Sequence, residues 1–179
     1  MKSILFVLVL FVNFTSITFA NDTLKIFNKK VRFGFESSEN RKINSIIVHS
    51  TFNNSGGDIY DVDLVLKQFS TYKVSAHYII ARDGKIYSLV DEKNISYHAG
   101  KSSLPDGTTN VNLCSIGIEL ITSYSENPSE EQYKALLKLI NNIKSRHKIK
   151  YVLRHCDIAP ERKTDPWNFD WDNFKKLLD

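Results

Sequence analysis

The residues with most chemistry to offer lie in one polar run near the C-terminus: Arg154, His155, Cys156 and Asp157, then Pro160, Glu161, Arg162, Lys163, Thr164, Asp165 and Pro166. The run follows Tyr151, Val152 and Leu153, so His155 is expected where a short buried strand ends and the chain leaves the core, a place that favours active-site residues. Pro160 and Pro166 exclude a regular helix through the run and predict a shaped loop bringing His155, Lys163 and Asp165 toward a common point. A second strand, residues 45–48, also ends in a histidine, His49. Two imidazoles and a carboxylate make a three-ligand set for a catalytic zinc ion with its fourth position open. The HExxH pattern of helical zinc proteases is absent from the sequence.

Glu119 stands among Ile116, Ile118, Leu120 and Ile121, in a stretch destined for the interior. A carboxylate there needs a partner or a purpose. It is either half of a structural salt bridge or a general base, its pKa raised by apolar surroundings, that takes a proton from water. Lys163 is an ordinary loop lysine unless the metal site is real; beside a metal its ammonium would stabilise the oxyanion of a tetrahedral intermediate. On a strand His77 and Tyr78 face opposite ways, so at most one points at the site, and core packing suits His77. His98 is read as lining a cleft, and His147 as a solvated histidine at the end of a helix. Cys156 directly follows His155, and adjacent residues on an extended chain point apart, which argues against a Cys–His nucleophile pair.

These side chains need a scaffold, and the hydrophobic pattern supplies one. Ile46, Ile47 and Val48 are consecutive and β-branched, as in a strand covered on both faces. Val62, Val65, Leu66 and Phe69 recur at helical spacing behind Asp61, a natural N-cap. Residues 76–81 and 85–90 flank Arg82, Asp83 and Gly84 and predict a hairpin. Residues 91–112 have no periodicity and predict a long functional loop; residues 115–121 predict a strand. Ser129 and Gln132 stand at capping-box spacing before Tyr133, Leu136, Leu137, Ile140 and Ile143, predicting a helix that reaches about His147. Residues 151–154 predict the last strand, and Trp171, Phe174, Leu177 and Leu178 a short terminal helix.

With 179 residues the chain is expected to form one domain. Lys2, the apolar residues 4–12, and Thr18 and Ala20 match a signal peptide cleaved after Ala20, which predicts an exported protein, periplasmic or secreted. The apolar run is shorter than the ~20 residues a spanning helix needs, so no stable membrane insertion is expected after cleavage. Residues 21–44 read as an irregular N-terminal arm and residues 45–179 as the catalytic domain. The net charge of +4 comes from dispersed basic residues, a pattern that argues against nucleic acid as partner. Cys114 and Cys156 could pair in an exported protein, yet a domain of this size needs no disulfide, so their state is open.

Ordered along the chain, these segments resemble the zinc-dependent N-acetylmuramoyl-L-alanine amidases of the type-2 family, to which peptidoglycan recognition proteins and certain phage lysozymes are related. The likeness runs over about residues 45–166. It rests on residues 46–50 ending in His49 and Ser50, Ser75-Ala76-His77-Tyr78 with Arg82-Asp83-Gly84, and His98-Ala99-Gly100. Asn112 and Ser115-Ile116-Gly117-Ile118-Glu119-Leu120 follow, then residues 155–160 and Arg162-Lys163-Thr164-Asp165-Pro166. The resemblance implies an α/β fold with a central mixed β-sheet flanked by helices, and one zinc ion per chain on His49, His155 and Asp165. It implies Glu119 as base and Lys163 as oxyanion stabiliser, in a monomer that binds peptidoglycan or muropeptides. Tyr78, which matches a tyrosine that assists catalysis in some relatives, is expected at the substrate with His98, Asn112 and Arg162; Arg162 or another loop cation would meet a diaminopimelate carboxylate. Glu161 and Trp167 stand where the family commonly has glycine, and Cys156 where it has a small residue. The activity implied is hydrolysis of the amide between N-acetylmuramic acid and L-alanine. The alternatives are a peptidoglycan-binding module that does not cut, and a zinc endopeptidase acting within the stem peptide.

Overall fold

Strand β3 (Ser45–Thr51) is the axis of the molecule, with all seven of its residues buried. The structure is a computed structural model that describes residues 23–178. The expected signal peptide lies outside these residues. Among them, no helix is long and apolar enough to cross a membrane.

Before β3 come β1 (Ile26–Asn28) and β2 (Phe35–Glu36). After it run α1 (Val62–Tyr72), β4 (Tyr78–Ile80), β5 (Ile86–Ser88), β6 (Ile95–Ser96) and a 3-10 turn, Val111–Cys114. The chain closes with β7 (Ser115–Ile121), α2 (Glu130–Lys144), β8 (Tyr151–Arg154), α3 (His155–Ile158) and α4 (Trp171–Lys175). The six-stranded sheet has the order β1-β5-β4-β7-β3-β8, while β2 and β6 form a separate pair. Among the described residues only the β4–β5 hairpin is antiparallel within the large sheet; its other pairs are parallel, so the sheet is mixed as expected.

Both faces of the sheet are covered, which is why β3 and β7 read as nearly unbroken apolar runs. On one face Ile46, Val48, Ile80, Ile116, Ile118 and Leu120 pack against Leu136, Leu139, Ile140 and Ile143 of α2 and against Trp171 and Phe174. Burying each such helix side chain contributes about 1.5–3 kcal/mol. The capping box of α2 is present, with Ser129 Oγ accepting from Gln132 N at 3.1 Å. The Gln132 amide then donates to the carbonyls of Ile80 and Ile121, at 3.1 and 2.9 Å, and clips the helix to two strands.

The opposite face carries two smaller cores. Val65, Leu66 and Phe69 of α1 cover Ile79, Leu89 and Ile121, while Ala99, Leu104, Val111 and Ile158 cover Ile47. Asp61 caps α1 by accepting from Leu64 N at 2.8 Å.

Several boundaries differ from those the sequence predicts. Strand β3 runs on through His49 to Thr51, so His49 lies inside a strand and not at its exit. Inside residues 21–44, read as irregular, β1 adds a parallel edge to β5 and β2 pairs with β6, because the exposed rim of a sheet recruits even short segments. Helix α2 stops at Lys144, and His147 is half-buried, its Nε2 2.7 Å from a Glu92 carboxylate oxygen. The polar run opens with one helical turn, α3, which ends ahead of Pro160. Both cysteine thiols are free.

Candidate active site

The site lies on the face away from α2, in the gap between the two smaller cores. Parallel register sets His49 of β3 level with Glu119 of β7, so both side chains leave the sheet on the same side. His155 opens α3 directly after β8, and Asp165 returns along the loop, its carbonyl accepting from Cys156 N at 3.0 Å. One ligand atom from each of His49, His155 and Asp165 lies within 4.8 Å of the other two, and all three residues are buried. Asp165 Oδ2 is 3.0 Å from His155 Nδ1 and 3.6 Å from His49 Nδ1.

Hydrogen bonding behind the two imidazoles decides which nitrogen faces the cluster. Ser115 Oγ donates to the Val111 carbonyl at 2.6 Å, so it accepts from His98 Nε2 at 3.1 Å. That leaves His98 Nδ1 as an acceptor, and the His49 Nε2 proton donates to it across 3.0 Å. His155 Nε2 lies 3.3 Å from the Ala99 carbonyl, which can only accept. Both protons therefore point away from the cluster, and both Nδ1 lone pairs turn toward Asp165 Oδ2. Three buried acceptors facing one point without a proton between them suit a bound cation, with protein groups orienting each ring from behind. The cluster fits a metal ion.

Without a metal the electrostatics couple the same three groups, because an Nδ1 proton on either imidazole would bond to Asp165 where a cation would otherwise sit. Burial, then the neighbouring His155, lowers His49 to about 4 against the opposing pull of Asp165. Burial by itself would raise the Asp165 carboxyl, but His155 and His49 outweigh it and hold the group well below the ordinary carboxylate range. Glu119 goes the other way: burial first, then the Asp165 carboxylate, push it well above its usual value, while Lys163 pulls back. Glu119 Oε2 is buried without a hydrogen-bond partner among the described residues. The salt-bridge reading of Glu119 has no support, because Lys163 makes no ion pair with it among the described residues and acts on it only through space.

Of the four residues expected at the substrate, three are placed elsewhere and His98 lines the cleft. Tyr78 lies on the opposite face, in the core under α2, and donates its hydroxyl to Glu92 at 2.7 Å. Strand alternation puts His77, not Tyr78, on the side of the site. Asn112 clamps a loop: its Oδ1 accepts from the backbone N–H groups of His98 and Ala99 at 3.2 and 2.8 Å. Arg162 is spent on the same loop, donating to the carbonyls of Ala99 and Lys101 at 2.8 and 2.6 Å. His98 borders the cleft, but both of its nitrogens are committed to His49 and Ser115.

Two residues that hold this arrangement, Ser115 and Gly117, fall in a segment of the family likeness but carry no chemical signal of their own in the sequence. A lone glycine inside an apolar strand is the available signal, since it marks a close approach. At Gly117 a Cβ would stand 2.4 Å from His98 Cγ. Gly117→Ala is therefore expected to push the His98 ring off His49, lowering metal affinity by roughly 10–100-fold and stability by about 1–3 kcal/mol. Metal titration and denaturant melts of the variant check both values.

His77 is fully buried, with Nδ1 accepting from Gly117 N at 3.0 Å and Nε2 donating to the Asn94 carbonyl at 3.1 Å. Burial, then Arg41, lowers its pKa to about 3. Between that value and the ordinary 6.5 the unfolded chain binds a proton that the folded chain does not, so stability falls as pH falls. The expected loss is up to about 1.4 kcal/mol per pH unit from this group across that window. Denaturant midpoints measured from pH 7 down to pH 4 would show it, and a His77→Gln variant should flatten the slope.

Glu119, His155, Lys163 and Asp165 open into a cleft of about 380 Å³ walled by Phe69, Tyr97, Tyr124 and Trp167. The aromatic walls come from four separate segments, so no local pattern announces them. A larger hollow elsewhere, of about 610 Å³ around Tyr133 and Phe174, holds none of these groups.

A family model described as N-acetylmuramoyl-L-alanine amidase matches residues 39–168, well over half of the chain and the whole of this site. The chain belongs to the N-acetylmuramoyl-L-alanine amidase family. Its sequence is 40% identical over 109 residues to 1,6-anhydro-N-acetylmuramyl-L-alanine amidase AmpD of Citrobacter freundii, covering 59% of this chain and 58% of that protein. It is 34% identical over 143 residues to N-acetylmuramoyl-L-alanine amidase AmiD of Escherichia coli, covering 70% of this chain and 49% of AmiD. The chain thus spans 58% and 49% of the length of these two relatives. Among solved structures, a selenomethionine AmpD derivative superposes with a TM-score of 0.71 at 29% identity, covering 86% of this chain and 94% of that one. Escherichia coli AmiD in complex with anhydro-N-acetylmuramic acid-L-Ala-D-γ-Glu-L-Lys gives 0.66 at 31% identity, covering 75% and 57%. This amidase-family chain therefore shares both sheet and site region with proteins named for one bond cleavage.

Proposed function

We propose that this chain is a zinc-dependent amidase that hydrolyses the bond between the lactyl group of N-acetylmuramic acid and L-alanine, in peptidoglycan or in muropeptides that include 1,6-anhydro forms. The observation that carries the reading is the buried convergence of His49, His155 and Asp165 beside an unpartnered Glu119. His49, His155 and Asp165 would hold a zinc ion, which when bound would supply Lewis acidity to a water and a carbonyl. Glu119 does the proton work: its raised pKa suits a base that takes a proton from the attacking water and delivers it to the leaving amine nitrogen. Lys163 lines the same cleft, and its ammonium stabilises the carbonyl oxygen as that atom gains charge. The products are the lactyl carboxylic acid and a free L-alanine amine, so one water is consumed.

Export and a periplasmic or secreted location belong to this proposal, resting on the N-terminal residues, as does a monomeric state. The test is mass spectrometry of muropeptides incubated with the protein, with and without a chelator. Free sugar plus intact stem peptide, abolished by chelation, is the expected result. Shortened peptides would replace the reading with an endopeptidase, and unchanged muropeptides with a module that only binds.

A further inference from the structure

Three aromatic rings stand together at the mouth of the cleft, outside the apolar cores. Tyr124 and Trp167 have ring centroids 4.2 Å apart at 48°, and Phe52 meets both from the side, at 5.4 and 5.8 Å. None of the three belongs to an apolar cluster among the described residues, and Tyr124 is 65% exposed. Leaving such rings at a surface forgoes burial that would otherwise stabilise the fold.

The backbone carrying Phe52 and Tyr124 is anchored, and the Trp167 ring itself is bonded. Gln68 of α1 donates to the Phe52 carbonyl at 3.1 Å, and Asn168 donates to the Tyr124 carbonyl at 2.8 Å. Trp167 Nε1 donates to Thr164 Oγ1 at 3.1 Å, so the indole has spent its only proton and has its π face left to offer. The pair is also tied to the chemistry. Tyr124 and Trp167 line the same cleft as Glu119, Lys163 and Asp165, and Trp167 follows Asp165 by two residues, a Cα separation of at most about 7 Å.

We propose that Tyr124 and Trp167, propped by Phe52, form a stacking platform for the pyranose ring of the muramyl group, and so set this enzyme's requirement for a glycan on the acyl side of the scissile bond. The inference rests on the amidase reading. In the substrate the sugar is joined to the scissile carbonyl through a short lactyl ether, so a ligand whose carbonyl lies beside Asp165 must place its ring close by. A pyranose offers a flat, uncharged C–H face, which matches a rigid aromatic surface and needs no countercharge. The platform is a binding element and takes no part in proton transfer.

The experiment compares two substrates, N-acetylmuramyl-L-Ala-D-Glu and the sugar-free D-lactyl-L-Ala-D-Glu. In Trp167→Ala and Tyr124→Ala the ratio of kcat/KM for the muramyl over the lactyl substrate should fall by roughly three- to tenfold, chiefly through KM, with Trp167→Phe retaining most of the ratio. An unchanged ratio, whether from equal losses on both substrates or from none, overturns the proposal. Titration of the wild-type protein with N-acetylmuramic acid, followed by tryptophan fluorescence, gives a readout free of turnover. Saturable quenching that weakens in Tyr124→Ala supports the platform, and a flat signal contradicts it. If the wild type cleaved neither substrate yet showed that quenching, the amidase reading would fail while the platform stood. Cleavage with a flat titration and unchanged ratios would leave the amidase standing and remove the platform.

Discussion

Glu119→Gln is expected to bind zinc as the wild type does while kcat falls by about 10²–10⁴-fold, the usual worth of a positioned general base. The substitution keeps size and shape, and removes only the capacity to take a proton. Glu119 touches none of the three clustered side chains by hydrogen bond, so its loss should leave the cluster intact. The fold should tolerate the change well, because Gln matches Glu in size and shape and the buried Oε2 has no hydrogen-bond partner to lose among the described residues. Metal content by elemental analysis, together with turnover on a muropeptide, separates the roles. Turnover near the wild-type rate would remove Glu119 from the mechanism, and loss of metal would make it part of the binding site instead.

His49→Ala is expected to lose both the metal and the activity. In the wild type, zinc that binds the folded chain alone raises stability by RT ln(1 + [Zn]/Kd), about 4 kcal/mol at a thousand times Kd. That increment should vanish in His49→Ala, because two donors do not make a closed site from three. The metal-free comparison is informative too. Removing His49 leaves buried His98 Nδ1 and Asp165 without that neighbour, so the metal-free variant should be less stable than the metal-free wild type by about 1–3 kcal/mol, besides the cavity left behind. Melting curves with and without added zinc read both effects. A wild-type rise in Tm on adding zinc to His49→Ala would exclude His49 as a ligand. His155→Ala and Asp165→Ala should behave in the same way, so all three form one unit.

Much of this is legible without coordinates. The helix start at Asp61, the capping box at Ser129, the hairpin around Gly84 and the strands at residues 115–121 and 151–154 are local signals, each with a local cause, and the structure holds them all. His49, His155, Asp165, Glu119 and Lys163 stand out because charged and imidazole groups beside apolar strands need a reason to be there. Their convergence is consistent with the order of segments, since parallel strands β3, β7 and β8 lie side by side and deliver their C-terminal ends to one edge.

The misplaced residues have a common origin. Tyr78 is expected at the substrate, yet its ring is buried beneath α2 while His77 takes the other side. Alternation says that two neighbours on a strand face apart, but not which of them faces the site. In a sheet with one wet face polarity answers that question; here both faces are apolar, so only the packing of α1 and α2 decides. Asn112 and Arg162 depart from expectation for a related reason. A polar residue in a long loop can meet a ligand or hold the loop, and their hydrogen bonds to residues 98–101 show the second use.

Sequence alone therefore determined the elements, their order and the residue types able to bind a metal and move a proton, because those depend on spacing along the chain. Tertiary structure decided the phase of each strand, the proton positions on His49 and His98, and the meeting of Phe52, Tyr124 and Trp167. These depend on contacts between segments far apart in sequence, which no local pattern encodes.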